Sequence, residues 1–172
     1  MKREPQAPAS AEHNSRVLRA AVKAIYAELE QLRVQRTCTG IADCCHFRLT
    51  GRTPYLTRGE AIVAAHAWRA AGRTSLPASG AEGACPMLVN QRCAIYADRP
   101  FGCRTHFCDA AGGPLARDQV RHWIHRLESL DTQLGGSGGV NLPAAIQNAL
   151  QDLGNKSRQP KTGKSGKKSA HK

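Results

Sequence analysis

The N-terminal third of the chain has apolar residues at helical spacing. Five of them follow one another at alternating steps of four and three: Leu18, Val22, Ile25, Leu29 and Leu32. Residues at these steps lie on one face of a helix, and the positions between them are mostly charged or small. We therefore predict an amphipathic helix over residues 10–36, and we expect the Pro/Ala-rich residues 1–9 before it to be disordered.

The apolar stripe of this helix is narrow enough to be the seam of a coiled coil. A sustained seam normally needs more than about two heptads, which is the length that the stripe covers. We therefore favour packing of the stripe on the protein's own core. Contact with an unidentified protein partner, or with a second copy of the chain, is the alternative.

Three further helices are predicted from caps and apolar spacing. Thr57-Arg-Gly-Glu60 fits the capping box, in which the Thr hydroxyl and the Glu carboxylate each accept a backbone N–H, and the helix that follows is expected to stop at Gly72. Apolar spacing predicts a helix over about 117–134. Residues 135–154 are predicted to form a Gly-rich linker and a short helix, since Pro143 suits a first helical turn.

The segments between these helices have short β signals. Phe47-Arg-Leu-Thr50 predicts a short strand, and residues 85–96 predict a hairpin that turns around Val89 to Arg92. If the turn centres near Val89, Cys85 and Cys93 face each other with Cβ atoms about 5 Å apart. The expected fold class is mainly α with a short β-hairpin, in a small single domain over residues 37–134 with flanking helices.

The chain has seven cysteines, and they fall into two groups. The groups are Cys38, Cys44 and Cys45 upstream, and Cys85, Cys93, Cys103 and Cys108 downstream. Thiolates are soft ligands for zinc, iron and iron–sulfur clusters, so two separated groups predict one shared centre that folding assembles. Adjacent cysteines can ligate one ion only from irregular backbone. We therefore predict an irregular cysteine-rich metal core, with all seven thiols as candidate ligands and with His46 and His106 as further candidates.

The alternative explanation is that the cysteines are small core residues, since free cysteine is commonly buried. They are bunched beside Gly, Pro and Asp, outside the apolar stripes, and this favours the metal interpretation. The N-terminus lacks the apolar run of a signal peptide, and no stretch approaches the roughly 20 apolar residues of a membrane span. We therefore expect a cytoplasmic protein with no membrane contact, and in that compartment clustered cysteines more often bind metal than form disulfides.

The formal net charge of +12 is concentrated at the C-terminus. Residues 155–172 contain seven basic residues and no acidic one, which leaves +5 for the rest of the chain. Such a Lys/Gly/Ser segment cannot bury enough apolar surface to fold, so we expect a disordered basic tail. We favour a solubilising tail over a nucleic-acid arm; any contact with nucleic acid would be weak and strongly salt-dependent.

Two cysteine patterns resemble a known family. The downstream pattern is Cys85-Pro, then Cys93-Ala-Ile-Tyr-Ala-Asp-Arg-Pro-Phe-Gly-Cys103-Arg, then Cys108, and it resembles the YkgJ-type cysteine-cluster proteins, also described as the CxxCxxCC or zinc- or iron-chelating domain. The upstream group resembles the Cys-x-x-Cys-x-x-Cys-Cys element of that family, with Ile41 in place of its second cysteine. The resemblance covers residues 38–108.

The resemblance implies metal or iron–sulfur binding by the seven cysteines. Because Ile41 replaces one of eight thiols, two complete all-cysteine tetrahedral sites are excluded within one chain. Tyr96, Arg99 and Arg104 also match the motif, and we expect a structural role for them: the guanidinium groups would donate hydrogen bonds to thiolates or to a carboxylate.

Three functions are consistent with these features. The first is an iron–sulfur or mononuclear iron protein in electron transfer or redox sensing, with one 4Fe–4S cluster favoured because it needs four of the cysteines. The second is a structural zinc module with a nucleic-acid or protein partner. The third, which rests on the resemblance alone, is an enzyme or accessory protein related to protein lysine N-methylation. The sequence does not decide whether the protein catalyses a reaction.

Overall fold

The computed structural model describes residues 9–32, 34, 36, 42–77 and 83–158. Within them the protein is mainly helical, as predicted, and the helices are α1 Ala9–Glu30, α2 Phe47–Thr50, α3 Arg58–Ala70, α4 Phe101–Thr105, α5 Arg117–Gln133 and α6 Leu142–Arg158. The strands are β1 Tyr55–Leu56, β2 Leu88–Val89, β3 Arg92–Cys93 and β4 Val140–Asn141, and they form two antiparallel pairs, β1 with β4 and β2 with β3. None of the described helices has the length and apolar character that crossing a membrane requires.

Helix α1 is confirmed, but it ends at Glu30 and not at residue 36. The next two backbone N–H groups bond carbonyls three residues back, Gln31 to Glu28 and Leu32 to Leu29, and this tightened turn ends the helix. The apolar stripe is buried within the chain, because α1 packs on α3 and α5. This is the packing favoured from the sequence, and it occupies the stripe that a partner would have used.

Helix α3 lies between two apolar clusters. Its Val63 belongs to the cluster formed with α1 and α5, which includes Val22 and Trp123. Its Ala61, Ala64, Ala65 and Trp68 belong to the cluster formed with α6, which includes Ile146. Alanine on this face lets α6 approach closely, and burial of such side chains stabilises the fold by about 25 cal/mol per Å² of apolar surface. The predicted capping box is present: the Thr57 hydroxyl accepts the Glu60 N–H, and the Glu60 carboxylate accepts the Thr57 N–H.

The predicted hairpin is present with a different register. Leu88 pairs with Cys93 and Val89 pairs with Arg92, so the prediction that Cys85 faces Cys93 is wrong. The turn residues are Asn90 and Gln91, with φ of 48° and 58°. Two consecutive positive φ angles are those of a type I′ turn, whose twist matches that of the strands. The turn therefore centres between Asn90 and Gln91, inside the predicted span of Val89 to Arg92 and not on Val89 itself, and Cys85 lies before the hairpin.

Two other predictions of local structure are corrected. Phe47–Thr50 is one helical turn and not a strand: the N–H groups of Leu49 and Thr50 both bond the His46 carbonyl, so local bonds satisfy this backbone. Helix α6 begins at Leu142, as expected from Pro143, but it continues to Arg158, beyond the predicted end at residue 154. The remainder of the predicted basic tail, residues 159–172, and the predicted disordered residues 1–8 lie outside the described residues.

The glycine-rich segment after α5 is attached to the domain. Asp131 is buried near the end of α5, and its carboxylate accepts the Arg58 N–H at 2.6 Å and the Gly138 N–H at 3.0 Å. The Gly136 N–H donates to the Asp131 carbonyl at 2.8 Å, and a Cβ at position 136 would overlap the Asp131 carboxylate. The segment predicted to be a linker is therefore attached to the start of α3. Strand β4 follows this segment and pairs with β1.

Candidate metal centre

Six of the cysteines lie in the described part of the chain, and all six line one cavity of about 900 Å³. They come from three separate stretches. Cys44 and Cys45 lie on a 3-10 turn before α2. Cys85 lies just before the hairpin and Cys93 lies on its second strand, β3, whereas Cys103 and Cys108 lie on α4 and just after it. The predicted ligand Cys38 lies outside the described residues. Folding therefore brings the upstream pair and the downstream segment to the same cavity.

Backbone and side-chain contacts join the two cysteine groups. The Cys85 N–H donates to the Cys45 carbonyl at 2.6 Å. The thiols of Cys44 and Cys45 share a hydrogen bond, and Cys45 shares another with Cys85. The thiol of Cys103 lies close enough to Cys45 and Cys93 for their charges to interact. The backbone here is irregular, as adjacent cysteines require if both are to face one centre.

Four of the thiols have raised pKa values in this arrangement: Cys44, Cys45, Cys93 and Cys103. The hydrogen bond to Cys45, together with burial, holds the pKa of Cys44 well above its usual range. The bond with Cys44 lowers the pKa of Cys45, but the bond with Cys85, burial and neighbouring thiols outweigh it and raise that pKa to about 12. Burial, followed by charge repulsion from the other thiols, raises the pKa of Cys103. If these thiols lost their protons, the thiolates would repel one another. A bound cation would stabilise the thiolates by its positive charge.

No three Cys, His, Asp or Glu side chains among the described residues are arranged so that they could hold a metal ion. None of the six described cysteines forms a disulfide, and all six line the cavity. In donor chemistry and in their convergence they fit a soft metal or an iron–sulfur cluster. In their present side-chain positions they do not form a coordination set. Of the two candidate histidines, His106 lines the cavity, whereas His46 is not among its lining residues and pairs through its backbone with Ala84.

Arg104 holds the loop beside the cysteines. Its buried guanidinium donates to the carboxylate of Glu30 on α1 and to the carbonyls of Ala97 and Arg99, and it lies 4.3 Å from the centre of the Tyr26 ring. This is the structural role predicted for the motif arginine, with a carboxylate as its acidic partner. It joins α4, which carries Cys103, to the first helix.

The charge of Arg99 acts on two of the thiols, Cys44 and Cys93. It stacks 4.0 Å above the centre of the Tyr96 ring and donates to the Tyr96 carbonyl at 3.1 Å. The pKa of Cys44 is raised chiefly by its hydrogen bond with Cys45, and the pKa of Cys93 is raised chiefly by burial. The positive charge of Arg99 opposes both increases. The motif arginine therefore places positive charge where thiolates would form.

Glu60 positions α4, a role that the sequence does not indicate. In addition to capping α3, its carboxylate accepts the Phe101 N–H at 2.8 Å and the Tyr26 hydroxyl at 3.3 Å. Burial raises the pKa of Glu60 in spite of the hydrogen bonds that it accepts. The capping pattern predicts only the contact of Glu60 with Thr57. The contact of Glu60 with Phe101 spans 41 positions, and no sequence pattern indicates it.

No protein-family model matches the chain, and no curated protein or solved structure matches it either. The resemblance to the cysteine-cluster family therefore rests on the motif residues themselves.

Proposed function

We propose that this is a metal-binding cysteine-cluster protein of the YkgJ type, with an iron–sulfur or iron centre that serves electron transfer or redox sensing. The observation that carries the proposal is the convergence of six cysteines, from three stretches of the chain, on one cavity. Cysteines that filled a core at random would not be expected to gather at one cavity from three irregular segments.

The set of thiols that interact with one another supplies more ligands than a four-iron cluster needs. It consists of Cys44, Cys45, Cys85, Cys93 and Cys103, which are linked by hydrogen bonds or by charge interaction. The cluster would draw its four ligands from this set, with Cys108 and Cys38 as further donors. Such a cluster, when bound, supplies one-electron redox chemistry. The protein's part is to hold the thiols together, and the charge of Arg99 favours the thiolate forms of Cys44 and Cys93.

A structural zinc site is the second candidate, and one observation favours it. The segments around the cavity are short turns and two-residue strands, joined across the chain by the bond from the Cys85 N–H to the Cys45 carbonyl. Small irregular domains of this kind are often held together by a closed four-thiolate zinc site. In that case the centre would stabilise the fold without redox chemistry.

The test is metal and acid-labile sulfide analysis of protein purified without oxygen, together with a visible absorption spectrum. Iron with sulfide and a visible charge-transfer band would support the redox centre, whereas zinc without sulfide would support the structural site. Protein that holds neither metal, even after reconstitution with iron and sulfide or with zinc, would refute the proposal. His125→Ala is the matched control for adventitious binding, because His125 is exposed on α5 and is not a lining residue of the cavity.

A further inference from the structure

Apolar side chains form much of the cavity wall beside its cysteines. It lies where the two apolar clusters meet: Met87 and Leu142 come from the cluster around α6, and Phe101, Leu115 and Val120 come from the cluster around α1 and α5. Pockets that bind small organic molecules have predominantly apolar and aromatic linings with a few polar groups. The lining of this cavity is of that kind.

The cavity is also much larger than a metal ion requires. Its volume of about 900 Å³ compares with roughly 30 Å³ for the share of one water molecule in the liquid. Cavities of about 300–1,000 Å³ are typical of small-molecule sites. A centre held by the cysteines would therefore leave space for an organic ligand beside it.

The charged residues that line the cavity are almost all arginines. They are Arg52, Arg92, Arg99 and Arg117, and among the described lining residues Asp43 carries the single carboxylate. Arg52, Arg92 and Arg117 are exposed, and none of the three forms an ion pair with a carboxylate in the part of the chain that the structure describes. Their guanidinium groups are therefore available to a ligand at the cavity.

We propose that the cavity binds an organic carboxylate with an apolar body, which would be the substrate or effector of the cysteine centre. The walls would bury the apolar body, since removal of apolar surface from water is favourable. The arginines would bind the carboxylate, whose geometry matches the planar guanidinium fork. The role of the ligand as substrate or effector rests on the proposed function. Its binding depends only on the cavity and its arginines.

The probe for this proposal is octanoate, titrated calorimetrically into the full-length protein, with 1-octanol and acetate as matched probes. Octanol has the apolar body without the charge, and acetate has the charge without the body. Octanoate is expected to bind saturably and at least about tenfold more tightly than either. Equal affinity for octanol and octanoate, or the absence of saturable octanoate binding, would overturn the proposal.

Arginine variants test the location of the binding. Arg52→Gln and Arg117→Gln change exposed side chains, so the fold should tolerate them, and each is expected to weaken octanoate binding by about threefold or more without affecting octanol. Arg121→Gln is the control, because Arg121 is also exposed on α5 but does not line the cavity. If Arg121→Gln weakens binding as much as Arg117→Gln, the binding follows net charge and the proposal is wrong.

Metal content is measured on the same samples, so that the two proposals can fail separately. Octanoate binding by protein that cannot be loaded with metal would support the cavity and refute the metal centre. A loaded protein that does not bind octanoate would leave the metal centre supported and refute the carboxylate site.

Discussion

Replacement of Glu60 by alanine tests how the domain holds α4 beside the cysteines. The Glu60 carboxylate is 4% exposed and accepts hydrogen bonds from three residues. The donors are the N–H and hydroxyl of Thr57, the N–H of Phe101 and the hydroxyl of Tyr26. Because the site is buried, water does not replace the lost acceptor without entering a new cavity.

The expected cost follows from these contacts. Loss of the carboxylate half of the capping box, which accepts the Thr57 N–H, costs about 1 kcal/mol, and leaving the Phe101 N–H without an acceptor costs about 1–3 kcal/mol. Removal of a carboxylate whose pKa is raised by burial recovers part of that cost. We expect Glu60→Ala to lower the free energy of unfolding by about 3 kcal/mol. Glu60→Gln retains one acceptor oxygen but places an amide NH₂ against a backbone donor. We therefore expect it to lower the free energy of unfolding by about 2 kcal/mol.

The raised pKa of Glu60 also predicts a pH dependence with a definite sign. As pH rises from about 4.3, the usual pKa of Glu, the unfolded state releases its proton first and the native state retains it until the pH passes the raised native pKa. The native state then binds more protons, so this group makes stability fall as pH rises through that window. In Glu60→Gln this contribution is absent.

Urea unfolding across that pH range measures both effects, and site-resolved alkylation of Cys103 measures the release of α4. Glu128→Ala is the control, since Glu128 is exposed on α5 and should change stability by less than about 0.5 kcal/mol. A Glu60→Ala variant that is no less stable than Glu128→Ala would contradict the role given to Glu60. The same dependence of stability on pH in the wild type and in Glu60→Gln would contradict the titration of Glu60.

Three further predictions concern other parts of the fold. Gly136→Ala should lower the free energy of unfolding by about 2 kcal/mol, measured by urea unfolding, because its Cβ would overlap the Asp131 carboxylate; an unchanged midpoint would contradict this. Gln91→Gly should raise stability by about 1 kcal/mol, since Gln91 has a φ of 58°; a lower melting temperature would contradict it. Cys93→Ser and Cys103→Ser should each lower both metal content and melting temperature, and a variant that retains both would count against a role as ligand.

The helices were largely predictable because their signals are local. The stripe of α1 and the capping box of α3 depend on residues a few positions apart, and both are confirmed. The errors lie where a local signal was weak. Phe47–Thr50 is too short for its apolar spacing to distinguish a strand from a helical turn, and here the His46 carbonyl bonds two N–H groups of a turn.

The hairpin was predicted, but its register was not. A shift of one residue in the turn moves every cross-strand pair, and the turn is set by the positive φ angles of Asn90 and Gln91. The pairing of Cys93 with Leu88 followed from this turn. Spacing along the chain therefore could not show which cysteines face one another.

The sequence by itself determined the long helices and the donor atoms that the protein can offer, because helical period, caps and thiol chemistry are properties of the residues. Tertiary structure decided which of those atoms meet. Cys45 and Cys85 lie 40 positions apart and are joined by a backbone hydrogen bond of 2.6 Å, and the capping residue Glu60 also anchors the start of α4. Such contacts depend on how α1, α3 and the cysteine segments pack together, and packing is a sum over many distant residues that no short stretch of the chain encodes.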